Sequence, residues 1–283
     1  MSETVNVSQP RGVGQSTATV TRTGMIGLGA MGLQMARHMK TKGFDVLGHD
    51  VSADAMQRAQ SHGLRTAAAS DVAGHAEIVV VMVATEAQVH EVTKALLQRA
   101  KPGTVICIAS SVSPKLCRDL AALAADRGVG VLDTPVVLGQ GAADNGTLTI
   151  YVGGEERWFM RARPTLLAFG AKALHLGGIG SGQIAKTVNN MLLWACMVAN
   201  LEALTLAKQL GCDVPRMIEA LGDGSGANWS LSKWGQGTGK WAEKDMDVAL
   251  ELAQSAKVPT PLAGLVDQLM KTVNQERMKA LLG

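Results

Sequence analysis

Aromatic residues are scarce in this 283-residue chain: five Trp, three Phe and one Tyr make up 3% of it. Core volume must come mostly from Ala, Val, Leu, Ile and Met, which the 47% hydrophobic content supplies. There is no dense Lys/Arg run, and the net charge of +3 is scattered, which argues against nucleic acid as a partner. Cys107, Cys117, Cys196 and Cys212 form no CxxC pair and no Cys/His metal spacing. No metal site is therefore expected, and reduced thiols in a cytoplasmic protein are the reading. Residues 1–22 are rich in Ser, Thr, Gln and Gly and lack the apolar stretch of a secretory signal, so they read as a flexible tail. The longest apolar run, 191–199, falls short of the ~18 residues of a membrane span, so no membrane passage is expected.

What is present is an alternation. Short apolar runs at 25–26, 46–49, 77–83, 104–108 and 128–133 predict strands, with further strands at 148–152 and 173–176. Helical patterns over 31–42, 52–62, 88–99 and 114–127 lie between the earlier ones. The run 77–83 is apolar without alternation, as in a strand buried on both faces. Strands alternating with helices predict βαβ units and a mainly parallel sheet. After Gly182 the strand pattern stops. Helices are predicted over 183–210, 215–221, 246–256 and 262–281, with a turn-rich stretch over 222–240. The expected organisation is a tail (1–22), an α/β nucleotide-binding domain (23–182) and an all-α domain (183–283).

Two motifs bear on chemistry. Gly27-Leu28-Gly29-Ala30-Met31-Gly32 sits between a predicted strand and helix, where a GxGxxG loop cradles a dinucleotide diphosphate at a helix N-terminus. The alternative for this motif alone is an ordinary glycine-rich turn. Asp50 ends the second strand, about 20 residues on, where a carboxylate binds the adenosine ribose and repels a 2′-phosphate. This favours NAD over NADP; a solvated strand-end aspartate is the bland alternative. Lys186 and Asn190 stand at i and i+4 behind Gly180 and Gly182, on one face of the long helix. An ammonium and an amide there would point into one cleft, as an acid/base pair or as ordinary surface residues.

In order along the chain come Gly27–Gly32, Asp133-Thr-Pro-Val136 with Gly139, Gly141 and Ala142, Gly146 to Gly154, Gly182 to Asn190, and Lys244-Asp245-Met246. This set resembles the β-hydroxyacid dehydrogenases, the group containing 3-hydroxyisobutyrate dehydrogenase and tartronate semialdehyde reductase. The resemblance runs from about Gly24 to the C-terminus. It implies a Rossmann-type domain and a helical domain, with Lys186 as catalytic acid/base and Asn190 orienting the substrate. It further implies cofactor contacts from Val83, Ala84, Ser111 and Lys244, and association into a homodimer or homotetramer through the helical domains.

One departure stands out. Where relatives read Asp-Ala-Pro-Val-Ser-Gly-Gly, this chain has Val137-Leu138-Gly139 in place of Ser-Gly-Gly. The hydroxyl that would help hold a substrate carboxylate is gone. The expected activity is hydride transfer between NAD(H) and a hydroxy acid or alcohol, or its carbonyl form. A reductase of a non-carboxylate carbonyl or imine, and a non-catalytic dinucleotide-binding module, are the alternatives. Trp229, Trp234 and Trp241 are read as core residues or as an apolar wall for a bulkier substrate.

Overall fold

The structure is a computed structural model that describes residues 21–236 and 239–282. Of the tail expected over 1–22, residues 1–20 lie outside the described residues, and Arg22 already opens a strand. The α/β unit runs β1 (Arg22–Ile26), α1 (Ala30–Thr41), β2 (Asp45–His49), α2 (Ala53–Ser61), β3 (Arg65–Thr66), α3 (Ala69–His75), β4 (Ile78–Val81), α4 (Glu86–Leu97), β5 (Val105–Ile108), α5 (Pro114–Ala125) and β6 (Gly130–Asp133). It continues through β7 (Val136–Val137), α6 (Gly139–Asp144), β8 (Leu148–Val152), α7 (Glu156–Phe169) and β9 (Gly170–His175).

The first six strands form one parallel sheet in the order β3-β2-β1-β4-β5-β6. β4, β5 and β6 are buried at every residue, the reason their sequences show no alternation. The order reverses between β1 and β4, so a crevice opens at their carboxyl ends. Gly27, Val83 and Ser111 all follow strands at that edge. The fold is thus the Rossmann-type unit expected, followed by helices.

Several elements were not legible in the sequence. β3, α3, α6 and α7 fall in stretches where no element was predicted. α7 contains Pro164, which ordinarily ends a helix; here it continues over 14 residues, with Phe159, Ala162 and Leu166 buried. Its Trp158 lies so close over Gly130 of β6 that a Cβ there would meet the indole ring at 2.4 Å. The late strands do not extend the main sheet; β7, β8 and β9 form a second, three-stranded one.

The rest of the chain is helical: α8 (Ser181–Gln209), α9 (Val214–Leu221), α10 (Trp229–Ser232), α11 (Ala242–Ala256), α12 (Pro261–Met270) and α13 (Gln275–Ala280). The helix predicted over 262–281 is therefore two helices. Asn274 interrupts it by capping α13, its side-chain oxygen accepting the Arg277 N–H at 2.8 Å. α8 is long and apolar enough, with a mean hydropathy of 1.4 over 18 residues, to cross a membrane by length and composition. The run 191–199 alone understated it. In the fold α8 packs on β8, α10, α11 and α12, with Trp194, Leu201 and Leu204 in the core of the helical unit.

Candidate active site

The glycine loop is fixed by close packing. Gly27 has φ +92°, and a Cβ on it would lie 2.0 Å from the Met82 carbonyl oxygen. Around Gly29, by contrast, nothing lies within 4 Å of an added Cβ, and Gly29 and Ala30 are exposed at the start of α1. The first N–H groups of that helix have no intrahelical partner, so the loop leaves room and donors for a diphosphate. Asp50 closes the loop from β2. One carboxylate oxygen accepts the Leu28 N–H at 2.6 Å, the other the Ser52 N–H at 2.8 Å. Each retains a second lone pair for a ribose hydroxyl. Val51, next in the chain, is 91% exposed and uncharged, so no basic side chain follows directly to attract a 2′-phosphate. These residues fit an NAD-type dinucleotide.

The second half of the site lies where α8 begins. Asp133, at the end of β6, is fully buried and accepts the N–H of Gly180 at 2.6 Å and of Gln183 at 2.7 Å. A side chain at Gly182 would collide with it, since a Cβ would stand 2.8 Å from Oδ2. Gln183 in turn accepts the Val112 N–H at 3.2 Å and donates to the Ser110 carbonyl at 2.8 Å. Ser110 also accepts the Val83 N–H at 2.8 Å. The start of α8 is thereby locked to the ends of β4, β5 and β6.

One turn on, a narrow cleft is lined by Ser111, Gln183, Lys186, Asn190, Lys244 and Asp245. Lys186, Asn190, Ser111 and Lys244, proposed from sequence, are brought together here. Lys244 also reaches the loop after β4, donating to the Ala84 carbonyl at 3.4 Å. Burial lowers the Lys186 pKa below its ordinary value, and the Asp245 charge opposes this. Burial raises the Asp245 pKa, while the charge of Lys186 and hydrogen bonds from Trp194 and Asn190 hold it down. An amine that titrates nearer to neutrality suits general acid/base work.

The sequence missed Asp133, Gln183, Asp245 and Trp194 as parts of this site. Trp194 donates its indole N–H to Asp245 Oδ2 at 3.1 Å. The tryptophans that sequence reading singled out lie elsewhere. Trp234 is buried and donates to the Met278 carbonyl at 3.2 Å, whereas Trp229 and Trp241 are 45% and 60% exposed. A larger hollow at Trp229, Ile218 and Leu231 has no titratable group in its lining. Val137, Leu138 and Gly139 do not line the Lys186 cleft. Val137 is buried in β7, and Leu138 caps α6 at φ +83°, a left-handed conformation unusual for leucine. The loop sits against the cofactor helix, where Gln140 donates to the Ala30 carbonyl at 3.2 Å.

Residues 22–177 match the family described as the NAD binding domain of 6-phosphogluconate dehydrogenase. Residues 180–281 match the family described as NAD-binding of NADP-dependent 3-hydroxyisobutyrate dehydrogenase. The mitochondrial 3-hydroxyisobutyrate dehydrogenase of Homo sapiens is 32% identical over 279 residues, covering 91% of this chain and 83% of that protein. The chain belongs to the β-hydroxyacid dehydrogenase family. An NAD-dependent L-serine dehydrogenase of Pseudomonas aeruginosa is 31% identical over 267 residues, covering 87% of this chain and 90% of that protein. The solved 3-hydroxyisobutyrate dehydrogenase of Mycobacterium tuberculosis with L-serine superposes with a TM-score of 0.84 at 26% identity, covering 93% of this chain and all of that one. This β-hydroxyacid dehydrogenase is an NAD(P)-dependent oxidoreductase acting on CH–OH groups of small molecules.

Proposed function

We propose that Lys186 is the general acid/base of this dehydrogenase. The observation that carries the reading is the convergence of Lys186, Asn190, Ser111 and Lys244 on one cleft beside the glycine-loop edge of the sheet. When bound, the nicotinamide exchanges a hydride with the substrate carbon. Lys186 Nζ takes the hydroxyl proton during oxidation or returns it during reduction. Asn190 orients the substrate oxygen or the ammonium. Gly27 to Gly32 cradle the diphosphate, Asp50 holds the adenosine ribose, and Val83, Ala84, Ser111 and Lys244 border the nicotinamide end. Asp50 favours NAD over NADP.

The substrate is a small hydroxy acid or alcohol, or the matching carbonyl compound. Val137, Leu138 and Gly139 lie outside the Lys186 cleft; the exposed Leu138 and Gly139 would border its far end from the loop against the cofactor helix, whereas Val137 is buried. With no hydroxyl at position 137, a substrate with an apolar group on that side competes with a carboxylate-bearing one. A nicotinamide absorbance assay over hydroxy acids, alcohols, aldehydes and imines tests the reading. Turnover of none of them, with NADH bound, would leave a non-catalytic dinucleotide-binding module.

Two further expectations belong to the same proposal. Ile184, Val188 and Leu192 stand at i, i+4 and i+8 on the outward face of α8, exposed by 47%, 49% and 64%. A second copy covers this stripe in a homodimer or homotetramer; a monomer mass by light scattering at micromolar concentration contradicts that. The four cysteines are free thiols, which fits a reducing compartment, and we assign the protein to the cytoplasm. Fractionation that finds it in another compartment overturns that assignment.

A further inference from the structure

We propose that Trp194 is a positioning residue for proton transfer: its indole N–H fixes the Asp245 carboxylate beside Lys186 and thereby sets the pH at which the lysine gives up its proton. The inference rests on the reading of Lys186 as the acid/base.

Lys186, Asn190 and Trp194 occupy positions i, i+4 and i+8 of α8 and so share one face. Trp194 donates to Asp245 on α11, and Lys186 and Asn190 line the same cleft as that carboxylate. Asn190 is itself held: the Asn189 amide donates to its Oδ1 at 3.0 Å, and the Tyr151 hydroxyl donates to Asn189 Oδ1 at 3.4 Å. That leaves the Asn190 amide N–H free to face Asp245. Trp194 is only 8% exposed and supplies the other donor. An indole can donate and cannot accept, so it stabilises Asp245 as the anion. Without that donor, burial would favour the neutral acid or let the carboxylate turn away.

Among the described residues, the charged groups around this pair are few. α8 contributes Lys186, α11 contributes Asp245 and Lys244, and β6 contributes Asp133. Asp133 has both oxygens engaged by N–H groups at the start of α8. Lys244 lies within hydrogen-bonding distance of the Ala84 carbonyl. The loop after β5 presents the uncharged Ser111. Asp245 is the group whose charge supports protonated Lys186 against burial. Weakening Asp245 as an anion therefore moves the lysine further down. Packing alone would not require the nitrogen, since a phenylalanine ring fills most of the same space among Met197, Leu201 and the other core residues.

The test compares pH profiles of turnover for the unmodified enzyme and for Trp194→Phe, Trp194→His, Asp245→Asn and Trp194→Phe/Asp245→Asn. The titration of turnover should move to lower pH in Trp194→Phe by about half a unit, a ~3-fold change in the protonated fraction. Trp194→His, which keeps a ring N–H, should move back toward the original profile. The double variant should titrate with Asp245→Asn alone, because Trp194 acts only through that carboxylate. NADH affinity, read by fluorescence titration, should stay within about 2-fold throughout, since no cofactor contact changes. A Trp194→Phe profile that superposes on the unmodified one overturns the inference, as does a full Trp194→Phe shift on top of Asp245→Asn. If Trp194→Phe does not fold, a Trp194→His profile displaced as far as that of Asp245→Asn overturns it equally. Lys186→Ala separates the two readings. An inactive Lys186→Ala beside an unshifted Trp194→Phe defeats only this inference, whereas an active Lys186→Ala defeats the acid/base reading beneath it.

Discussion

Asp133 accepts the backbone N–H of Gln183 at 2.7 Å, across 50 residues of chain, so a strand of the nucleotide-binding unit caps the helix that carries Lys186. The same carboxylate takes the Gly180 N–H. The helix start has no capping side chain of its own, and Asp133 supplies the negative charge that a helix N-terminus favours. Lys186 follows one turn later, so its position relative to the sheet edge is set by this contact.

Asp133→Ala should therefore cost stability and activity together. Two hydrogen bonds to a buried carboxylate are lost, and the N–H groups of Gly180 and Gln183 are left without acceptors, for a loss of about 3 kcal/mol. Denaturant unfolding measures this. A loss below about 1 kcal/mol would mean that other groups hold the start of α8.

Asp50→Ser should narrow the preference for NAD over NADP, because it removes the charge that repels a 2′-phosphate. It should also weaken binding of both cofactors, since Asp50 holds the glycine loop through the Leu28 N–H. Comparing kcat/KM for NAD and NADP in both proteins separates the effects. An unmodified enzyme that prefers NADP contradicts the role assigned to Asp50.

Leu138→Gly should stabilise the protein by about 1 kcal/mol, because a left-handed conformation is strained for leucine and free for glycine. Combined with Val137→Ser, it tests for a carboxylate anchor: higher activity on small hydroxy acids would mean that this loop meets the substrate, although Val137 is buried and outside the Lys186 cleft. Thermal unfolding and a substrate panel read the two outcomes. Efficient turnover of 3-hydroxyisobutyrate by the unmodified enzyme would show that the altered loop does not select against a carboxylate.

The pH dependence follows from the lowered pKa of Lys186. Reduction needs the ammonium, so its rate should fall as pH rises through that pKa. Oxidation needs the neutral amine, so its rate should rise through the same pKa. Both transitions should lie below the ordinary lysine value of 10.5. An oxidation rate that keeps rising until above that value would contradict a buried lysine base.

The parts of the candidate site written in local spacing could be proposed from the sequence. The glycine loop, Asp50 after β2, and Lys186 with Asn190 on one helix face each depend on residues within about 20 positions of one another. Asp133 with Gln183, and Trp194 with Asp245, are 50 and 51 residues apart, and only the fold brings them together. Lys244-Asp245-Met246 was recognisable as a motif, yet spacing gave Asp245 no partner. α7 escaped because Pro164 reads as a helix breaker, although burial against α1 and the sheet sustains the helix. The tryptophans between 229 and 241 stand out in the sequence by their density. Trp194 lies within the apolar run 191–199, where spacing does not reveal that its one polar atom meets Asp245.

In the proposed mechanism Lys186 moves the proton. Steady-state turnover of Lys186→Ala, with NADH binding measured on the same preparation, tests it most directly. Unchanged NADH affinity and a loss of turnover of about 10²–10⁴-fold, the contribution typical of a general acid/base, are expected. A Lys186→Ala enzyme that binds NADH and turns over at a near-normal kcat would contradict it.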